Sequence, residues 1–312
     1  MRIKVILNPV AGRGRARKAK DLIVKTLSEY GVEFDLEETQ AHNHAIEIAR
    51  QAVNGDYDLV IAAGGDGTVN QVINGMAGSN IPLGILGCGT GNDFAAMIGM
   101  PKDTALSIKR IIEGHTRQVD FCRVNDKYFI SSVGAGFDGA VAYTVNHSFR
   151  WIRGMAAYIL GVFKTLFSYK QHSVRLTIDD QTYQFKALLV AVNNSTTYGG
   201  GIKINPEAKI DDGLFDVCAA KNLNFLEILL CLPLAVKGAH QNLKKVMMLK
   251  GSKVVLESES PLYYQLDGEV FQDKTLEFTI YPRSFPIKGA ALEPSPDYLA
   301  PDEPEGVQAD VG

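Results

Sequence analysis

An apolar strand that leads directly into a glycine-rich turn constrains this chain more than any other stretch. Residues 59–63 are five apolar residues in a row, which is typical of a strand buried on both faces of a parallel sheet. Residues 64–68 read GGDGT, and a helical pattern begins directly after them. Glycines let the backbone approach a ligand, and the N–H groups at a helix start favour a phosphate. The stretch therefore predicts phosphate binding, with a capped structural turn as the alternative.

Three carboxylates of the first half are candidates for a cation site. Asp66 stands inside the glycine turn, where a carboxylate facing phosphates would repel them unless a cation lay between the two. Asp93 ends a second glycine-rich stretch, GTGND, although it could instead cap the helix that follows. Asp120 lies in the last element of this half. Because Mg²⁺ prefers oxygen ligands and keeps several waters, the three could hold it directly or through water.

Strands alternate with helices through the first 120 residues or so, which predicts a doubly wound, mostly parallel sheet. Right-handed crossovers place the loops at residues 8–12, 39, 64–68 and 87–93 at one edge of that sheet, where we expect a shared crevice. We expect strands at residues 3–7, 32–38, 59–63, 82–86 and 117–122, and helices at 15–30, 44–53, from 69 to about 76, and at 103–113.

The pattern changes after Val124 to short alternating strands, which predict a β-sandwich or a barrel. We therefore expect an α/β domain at residues 1–123, an all-β domain at 124–283 and a disordered tail at 291–312 that is acidic and rich in proline. We expect strands at residues 128–133, 174–178, 183–192, 215–219, 253–256 and 262–266, and helices at 149–169 and at 225–238, the latter bent or ended by Pro233.

Composition and cysteine spacing indicate the cellular compartment and the class of partner. The four cysteines have no CxxC spacing, no apolar run is long enough for a membrane span, and a strand follows Met1 at once. We therefore expect a cytoplasmic protein. The formal net charge is −3, and we expect no nucleic-acid partner.

Two acidic triplets of the second half do not by themselves distinguish a functional site from a turn. Asp211-Asp212-Gly213 could be only a turn before a strand, and Asp267-Gly268-Glu269 could be only a hairpin turn.

Taken together, the motifs resemble those of the bacterial diacylglycerol kinases, over about residues 1–290. That family shares its catalytic domain with sphingosine and ceramide kinases and, more distantly, with NAD kinases. The motifs occur in the family's order: NPVAG at 8–12, GGDGT at 64–68 with Asn70, GTGND at 89–93, GAGFD at 134–138, DDG at 211–213 and DGE at 267–269.

The resemblance implies an NAD-kinase-like nucleotide-binding domain followed by a β-sandwich, with residues 284–290 returning to the first domain. Asp66, Asp93 and Asp120 match a water-linked acidic network around a catalytic Mg²⁺, and Glu269 matches the proposed general base. Asp212 and the carbonyls of Lys209 and Leu214 match a structural Mg²⁺ site. ATP would contact Asn8, Pro9, Val10, Ala11, Gly12, Thr39, Gly65, Asp66, Gly67, Thr68, Val69, Asn70, Gln71 and Thr90.

The expected function is therefore ATP-dependent phosphorylation of diacylglycerol to phosphatidic acid. Alternatives are a kinase for phosphatidylglycerol or a sphingoid base, an NAD kinase, and a non-catalytic nucleotide- or lipid-binding regulator. The lipid implies transient peripheral contact with the inner face of a membrane, and the resemblance implies a homodimer. Residues 149–170, which include Trp151, could form an interfacial helix or a helix that covers the sandwich.

Overall fold

The computed structural model describes residues 1–148, 155–267 and 269–291. The expected disorder of the tail from residue 292 onward, and the part of the expected helix at 149–154 that includes Trp151, lie outside the described residues. The strands are β1 Arg2–Leu7, β2 Glu33–Glu38, β3 Leu59–Gly64, β4 Leu83–Gly87, β5 Thr116–Val124, β6 Lys127–Phe129, β7 Ser132–Gly136, β8 His172–Ile178, β9 Gln181–Asn193, β10 Phe215–Lys221, β11 Val246–Gly251, β12 Lys253–Leu266 and β13 Glu269–Lys288. The helices are α1 Ala11–Glu29, α2 His44–Val53, α3 Asp66–Gly75, α4 Asp93–Met97, α5 Thr104–Glu113, α6 Phe137–Ser148, α7 Met155–Ser168 and α8 Phe225–Lys237, followed by a 3-10 turn at Ala239–Asn242.

The first half is a parallel sheet in the order β2-β1-β3-β4. All six residues of β3 are buried, as the apolar run predicts. The helices pack in two pairs, α1 with α5 and α2 with α3, which matches a doubly wound sheet covered on both faces. The strand order reverses between β1 and β3, and in open α/β sheets ligands bind beside such a reversal, at the carboxyl ends of the strands.

The start of α1 is irregular. Gly12, Arg13 and Gly14 have φ of 57°, 60° and 87°, so helical geometry becomes regular only at Arg15, where the sequence predicts the helix. Left-handed backbone is natural for the two glycines and unusual for Arg13. The chain thus turns through a short left-handed loop directly after β1.

The second half is an antiparallel β-sandwich. β7 and β8 lie end to end between β9 and β12, and β10 and β11 extend the sheet beyond β9. One apolar core lies inside the sandwich, and a second lies between the β9–β10 face and helices α6, α7 and α8. The two strands predicted at residues 253–266 are one strand, β12, whose register shifts between Glu257 and Leu262.

β13 connects the two halves. It is 20 residues long and pairs with β12 over its first part. Further along it pairs with β5, and Ile287 then lies beside Leu83 of β4 in parallel register. A bulge between Tyr281 and Phe285, with Arg283 at φ 46°, bends the strand between these partners. Both sheets therefore join into one 13-stranded hydrogen-bonded sheet.

Three elements of the second half differ from the sequence prediction. α6 and β11 lie where no element is predicted, and α8 continues through Pro233 to Lys237 although that proline is predicted to bend or end it. The described part of the predicted 149–169 helix is α7. Across the described ranges, no helix is both long and apolar enough to cross a membrane.

Candidate active site

The glycine loops of the first half meet at the carboxyl ends of the parallel strands. A Cβ on Gly89 would lie 2.3 Å from Gly65 Cα, and one on Gly12 would lie 2.1 Å from the carbonyl oxygen of Cys88. The Arg15 guanidinium donates to the carbonyl of Gly89. The close approaches at Gly12 and Gly89 exist only because these positions have no side chain, so the loops there pack backbone against backbone.

Side chains and backbone groups tie the other loops to the same place. Asn8 Nδ2 donates to Thr68 Oγ1 at 2.9 Å, which joins the loop after β1 to the GGDGT turn. The N–H of Thr39 donates to the carbonyl of Leu7 at 2.8 Å, which holds the end of β2 beside the same loop. The structure therefore brings the four predicted loops into one crevice.

The remaining residues expected to contact ATP differ in exposure. Val10 and Thr90 are exposed, whereas Pro9, Thr68, Val69 and Asn70 are buried and support the loops from beneath. Partly buried positions are Asn8, Ala11, Gly12, Thr39, Gly65, Asp66, Gly67 and Gln71.

Asp66 is held by backbone N–H groups of the facing loop. Its Oδ2 accepts from the Asn92 N–H at 2.8 Å, and its Oδ1 accepts from the Phe94 N–H at 3.1 Å. Burial raises the pKa of Asp66, and these N–H groups oppose the rise. The carboxylate therefore also ties α3 to the start of α4.

Asp93 is the first residue of α4 and is buried, and it does not cap that helix. Its Oδ2 accepts from the Gly200 N–H at 2.7 Å, so it reaches toward the second half of the chain. Burial and the nearby charge of Asp66 raise the pKa of Asp93 to about 6. The two carboxylates meet beside Gly91, where a Cβ would lie 3.0 Å from Asp66 Oδ2 and 3.4 Å from Asp93 Oδ2.

The second half supplies two further acids to this crevice. Asp267, at φ 47°, accepts from Asn70 Nδ2 at 2.8 Å, and burial together with the charges of Asp66 and Asp93 raises its pKa well above its ordinary value. Its carbonyl oxygen faces Gly67, where a Cβ would lie 3.5 Å away. Asp267 thus lies against the glycine turn, which supports a role for it beyond that of a hairpin residue.

Glu269 begins β13 and is 29% exposed at its side chain. Its Oε1 accepts from Gln71 Nε2 at 3.2 Å and lies 3.5 Å from His42 Nε2. Sequence reasoning found Glu269 only by resemblance, and it missed Asp267 as an acid of the crevice and His42 as a neighbour of the glutamate. The signal for Asp267 was its position two residues before Glu269 in the same triplet.

Asp120 has different hydrogen-bond partners from Asp66 and Asp93. It is fully buried in β5, and its two oxygens accept from the Gly213 N–H at 2.7 Å and the Arg283 N–H at 2.8 Å. Burial raises its pKa. Its hydrogen bonds are to the 211–213 turn and the β13 bulge, whereas those of Asp66 and Asp93 are to the loops of the crevice.

The predicted structural cation site is the turn before β10. Asp212 Oδ1 accepts from the Leu214 N–H at 3.1 Å, while Lys250 Nζ lies 4.0 Å from Asp212 Oδ2 and 2.9 Å from Asp216 Oδ1. Asp211 is engaged by Arg117 Nη2 at 2.8 Å. The Asp212 carboxylate thus lies at this turn with the Lys250 ammonium nearby, so a cation bound here would compete with that ammonium for its oxygens.

The carboxylates of the crevice repel one another, and a bound cation would relieve that repulsion. The charges of three carboxylates, Asp66, Asp93 and Glu269, add to burial in raising the pKa of the fourth, Asp267. Over the described residues, no three side chains of His, Cys, Asp or Glu are arranged to hold a metal ion by themselves. Cation binding here would therefore also need oxygens from water or phosphate, which is usual for Mg²⁺.

This arrangement defines a class of protein. N–H groups from glycine loops suit the phosphates of a nucleotide, and a carboxylate brought in from a second domain suits the removal of a proton from an acceptor hydroxyl. The fold and the site together are those of an ATP-using kinase of the NAD-kinase-like kind, with a β-sandwich as its second domain.

Comparisons with known proteins give the family. A family model described as diacylglycerol kinase catalytic domain matches residues 2–124, and one described as YegS C-terminal NAD kinase beta sandwich-like domain matches residues 131–288. A diacylglycerol kinase of Bacillus subtilis is 32% identical over 86% of this chain and 89% of its own length. One of Staphylococcus aureus is 32% identical over 97% of this chain and 93% of its own length.

A crystal structure of a diacylglycerol kinase from Bacillus anthracis has the same fold, with a TM-score of 0.71 at 24% identity over 92% of this chain and 96% of its own. The chain therefore belongs to the diacylglycerol kinase family, and it is a lipid kinase with ATP as its co-substrate. The predicted fold class and enzyme class are confirmed.

Proposed function

We propose that this kinase transfers the γ-phosphoryl group of ATP to the primary hydroxyl of diacylglycerol and yields phosphatidic acid and ADP. The observation that carries the proposal is the position of Glu269, a carboxylate of the second half that lies within 3.2 Å of Gln71 in the helix after the phosphate loop. The relatives named diacylglycerol kinase support the choice of lipid.

In this reaction Glu269 accepts the hydroxyl proton. A hydroxyl is far less acidic than a carboxylic acid, so the proton leaves late, as the oxygen bonds to phosphorus. A positioned base of this kind contributes about 10²–10⁴-fold to the rate. Gln71 holds the carboxylate in place through the hydrogen bond from its amide, and the loop N–H groups hold the phosphates. Positioning and electrostatic stabilisation supply most of the remaining rate.

Asp66 and Asp93 are the groups that we propose for the catalytic Mg²⁺. Asp120 belongs to this proposal by family resemblance, since its own hydrogen bonds are to the 211–213 turn and the β13 bulge. When bound, Mg²⁺ neutralises negative charge on the β- and γ-phosphates. Asp212 and the carbonyls of Lys209 and Leu214 are the groups that we propose for a structural Mg²⁺. The nucleotide contacts expected from the sequence remain part of the proposal.

Because the acceptor is a membrane lipid, we also propose that the protein contacts the inner face of the membrane peripherally and transiently. A homodimer remains a proposal that rests on family resemblance. No contact with nucleic acid forms part of the proposed function.

The test is an assay of ADP release with diacylglycerol, phosphatidylglycerol, sphingosine and NAD as separate acceptors. We expect turnover with diacylglycerol to exceed that with each other acceptor by at least about tenfold. Faster turnover with another lipid or with NAD would replace diacylglycerol as the substrate. If no acceptor is phosphorylated although ATP binds, the protein is a regulator that keeps the fold.

A further inference from the structure

A histidine of the first half lies beside Glu269, the proposed base. His42 belongs to the loop between β2 and α2, and its side chain is 69% exposed. Its Nε2 lies 3.5 Å from Glu269 Oε1, and its Nδ1 lies 3.4 Å from Gln71 Nε2. Side chains from a loop, from α3 and from β13 therefore meet at one point.

The loop that carries His42 is folded against the helix that carries the glutamine. Within the loop, the Gln40 N–H donates to His44 Nδ1 at 3.1 Å. α2 begins at His44 and lies tightly on α3, because a Cβ on Gly75 would be 2.5 Å from the Ile46 carbonyl oxygen. The position of the His42 imidazole beside α3 therefore follows from the packing of these two helices.

The Gln71 amide connects the histidine to the glutamate. Its Nε2 carries two N–H groups, and both of its neighbours, His42 Nδ1 and Glu269 Oε1, can accept one. The two acceptors together determine which way the amide points. Because Nδ1 accepts, the neutral imidazole carries its proton on Nε2, the nitrogen that lies beside Glu269 Oε1.

Both neighbours of the glutamate lie at the same oxygen. Oε1 receives the Gln71 N–H and lies beside His42, whereas over the described residues Oε2 accepts no hydrogen bond. Oε2 is therefore the oxygen that is available to the acceptor hydroxyl. As the hydroxyl oxygen bonds to phosphorus, its proton moves to Oε2, while Oε1 keeps its two neighbours.

We infer that His42 is a positioning residue for the base and that its neutral form is the one that keeps Glu269 active. This inference rests on the proposed function, in which Glu269 accepts the hydroxyl proton. A second proton on the imidazole occupies Nδ1, so the ring no longer accepts from Gln71 and places a positive charge beside the carboxylate. A positive neighbour favours the ionised carboxylate and so weakens it as a base.

Turnover should therefore fall as histidine gains its charge, which it ordinarily does between about pH 8 and pH 5. Among the described residues, Glu269 is the ionisable group that contacts His42. His44, in the same stretch, already accepts a backbone N–H, and Asp267 is buried and hydrogen-bonded to α3. Asp93 titrates in the same crevice with a pKa of about 6, so the pH profiles of variants that all keep it must be compared.

The first experiment is the pH profile of kcat at saturating Mg²⁺ and ATP, with the acceptor that the unchanged protein phosphorylates fastest. Between about pH 8 and pH 6, kcat of the unchanged protein should fall at least about fivefold. His42→Gln cannot take up the proton, so its kcat should fall less than about twofold over the same range. The matched control is His115→Gln, at an exposed histidine of the first half, which should keep the original profile.

Two further variants separate positioning from charge. His42→Ala removes both contacts, so kcat at about pH 8 should fall at least about fivefold with little change in KM for ATP. His42→Gln keeps an oxygen acceptor and an N–H donor, and it should retain at least about threefold more activity than His42→Ala. His42→Lys carries a fixed charge, so its kcat at about pH 8 should be as low as that of the unchanged protein at about pH 6.

The outcomes distinguish this inference from the proposed function. If the enzyme turns over but His42→Gln keeps the pH profile of the unchanged protein, the inference is wrong and the proposed function stands. Normal kcat in His42→Ala has the same meaning. Turnover with no acceptor, or near-normal kcat in Glu269→Gln, removes the proposed base and the positioning role with it.

Discussion

Gly65 and Gly89 touch through bare backbone, since a Cβ on Gly89 would lie 2.3 Å from Gly65 Cα. Gly89→Ala should therefore push the two phosphate loops apart. We expect weaker ATP binding by at least about tenfold and a loss of about 1–3 kcal/mol in the free energy of unfolding. Titration calorimetry with ATP and denaturant unfolding would measure both effects.

The control for this prediction is Gly78→Ala. Gly78 has φ 82°, but a Cβ there would meet no atom within 4 Å, so the change strains the backbone without moving a phosphate loop. ATP binding should remain within about twofold of the unchanged protein. Similar ATP affinities for the two alanine variants would contradict the loop contact.

Glu269→Gln should keep ATP binding and lose turnover. The amide has nearly the shape of the carboxylate but cannot accept the hydroxyl proton, so kcat should fall by about 10²–10⁴-fold with little change in KM for ATP. Steady-state kinetics with diacylglycerol are the measurement. Glu257→Gln, on an exposed part of β12, is the matched control, and near-normal kcat in Glu269→Gln would remove the glutamate from the base role.

Asn70→Ala should uncouple the first half from the acidic triplet of the second. Asn70 Nδ2 donates to Asp267 Oδ2 at 2.8 Å and lies 3.3 Å from the Tyr128 carbonyl. The Tyr128 carbonyl keeps its bond from Asn74 Nδ2 at 2.8 Å, so the main loss is the donor to the buried Asp267 carboxylate. That loss costs about 1–3 kcal/mol, and kcat should fall because Glu269 lies two residues beyond Asp267. Thermal unfolding and kinetics would test this. In the control Asn54→Ala, the lost bond is an exposed one to the Arg50 carbonyl at 2.9 Å, and kcat should not change.

Asp93→Asn should stabilise the protein at neutral pH in the absence of nucleotide and metal. The pKa of Asp93 is raised from 3.8 to about 6, so the folded state binds more protons than the unfolded state between those values, and stability falls as pH rises through that window. The full penalty above pH 6 is at most about 3 kcal/mol. Asparagine removes it, because its amide oxygen can still accept from the Gly200 N–H.

Denaturant unfolding at several pH values would measure this effect, and the gain should disappear by about pH 4. Asp126→Asn is a control of opposite sign, because Lys127 lowers the pKa of the exposed Asp126, and its removal should bring no gain at neutral pH. A constant loss of stability in Asp93→Asn at all pH values would show that its hydrogen bonds outweigh its buried charge.

The first half could be predicted closely because its signals are local. The apolar run of β3 and the glycines after it determine a buried strand and a tight turn without help from distant residues. The convergence of the loops followed from the handedness of crossovers alone. The regular start of α1 at Arg15 also agrees, since the residues before it are two glycines and an arginine in left-handed backbone.

The second half was harder to predict from the sequence, because its contacts join residues that are far apart in the chain. Asp120 accepts N–H groups from Gly213 and Arg283, which lie about 90 and 160 residues away, and no local pattern predicts such partners. α6 was not predicted, and the GAGFD motif spans its boundary, since the two glycines of the motif lie in β7 and the helix begins at Phe137. Gly134 in fact lets the Asp138 carboxylate lie against β7, since a Cβ there would be 2.2 Å from Asp138 Oδ2.

The course of β13 through both halves, interrupted by one bulge between Tyr281 and Phe285, has a consequence for how this enzyme can vary. Glu269 is its first residue, and Ile287, near its end, is registered against Leu83 at the start of β4 in the first half. Inserting or deleting one residue within the strand would turn every later side chain to the opposite face of the sheet. The number of residues in the paired parts of β13 is therefore fixed by register, and natural length variation should fall in the turns or at the bulge between Tyr281 and Phe285.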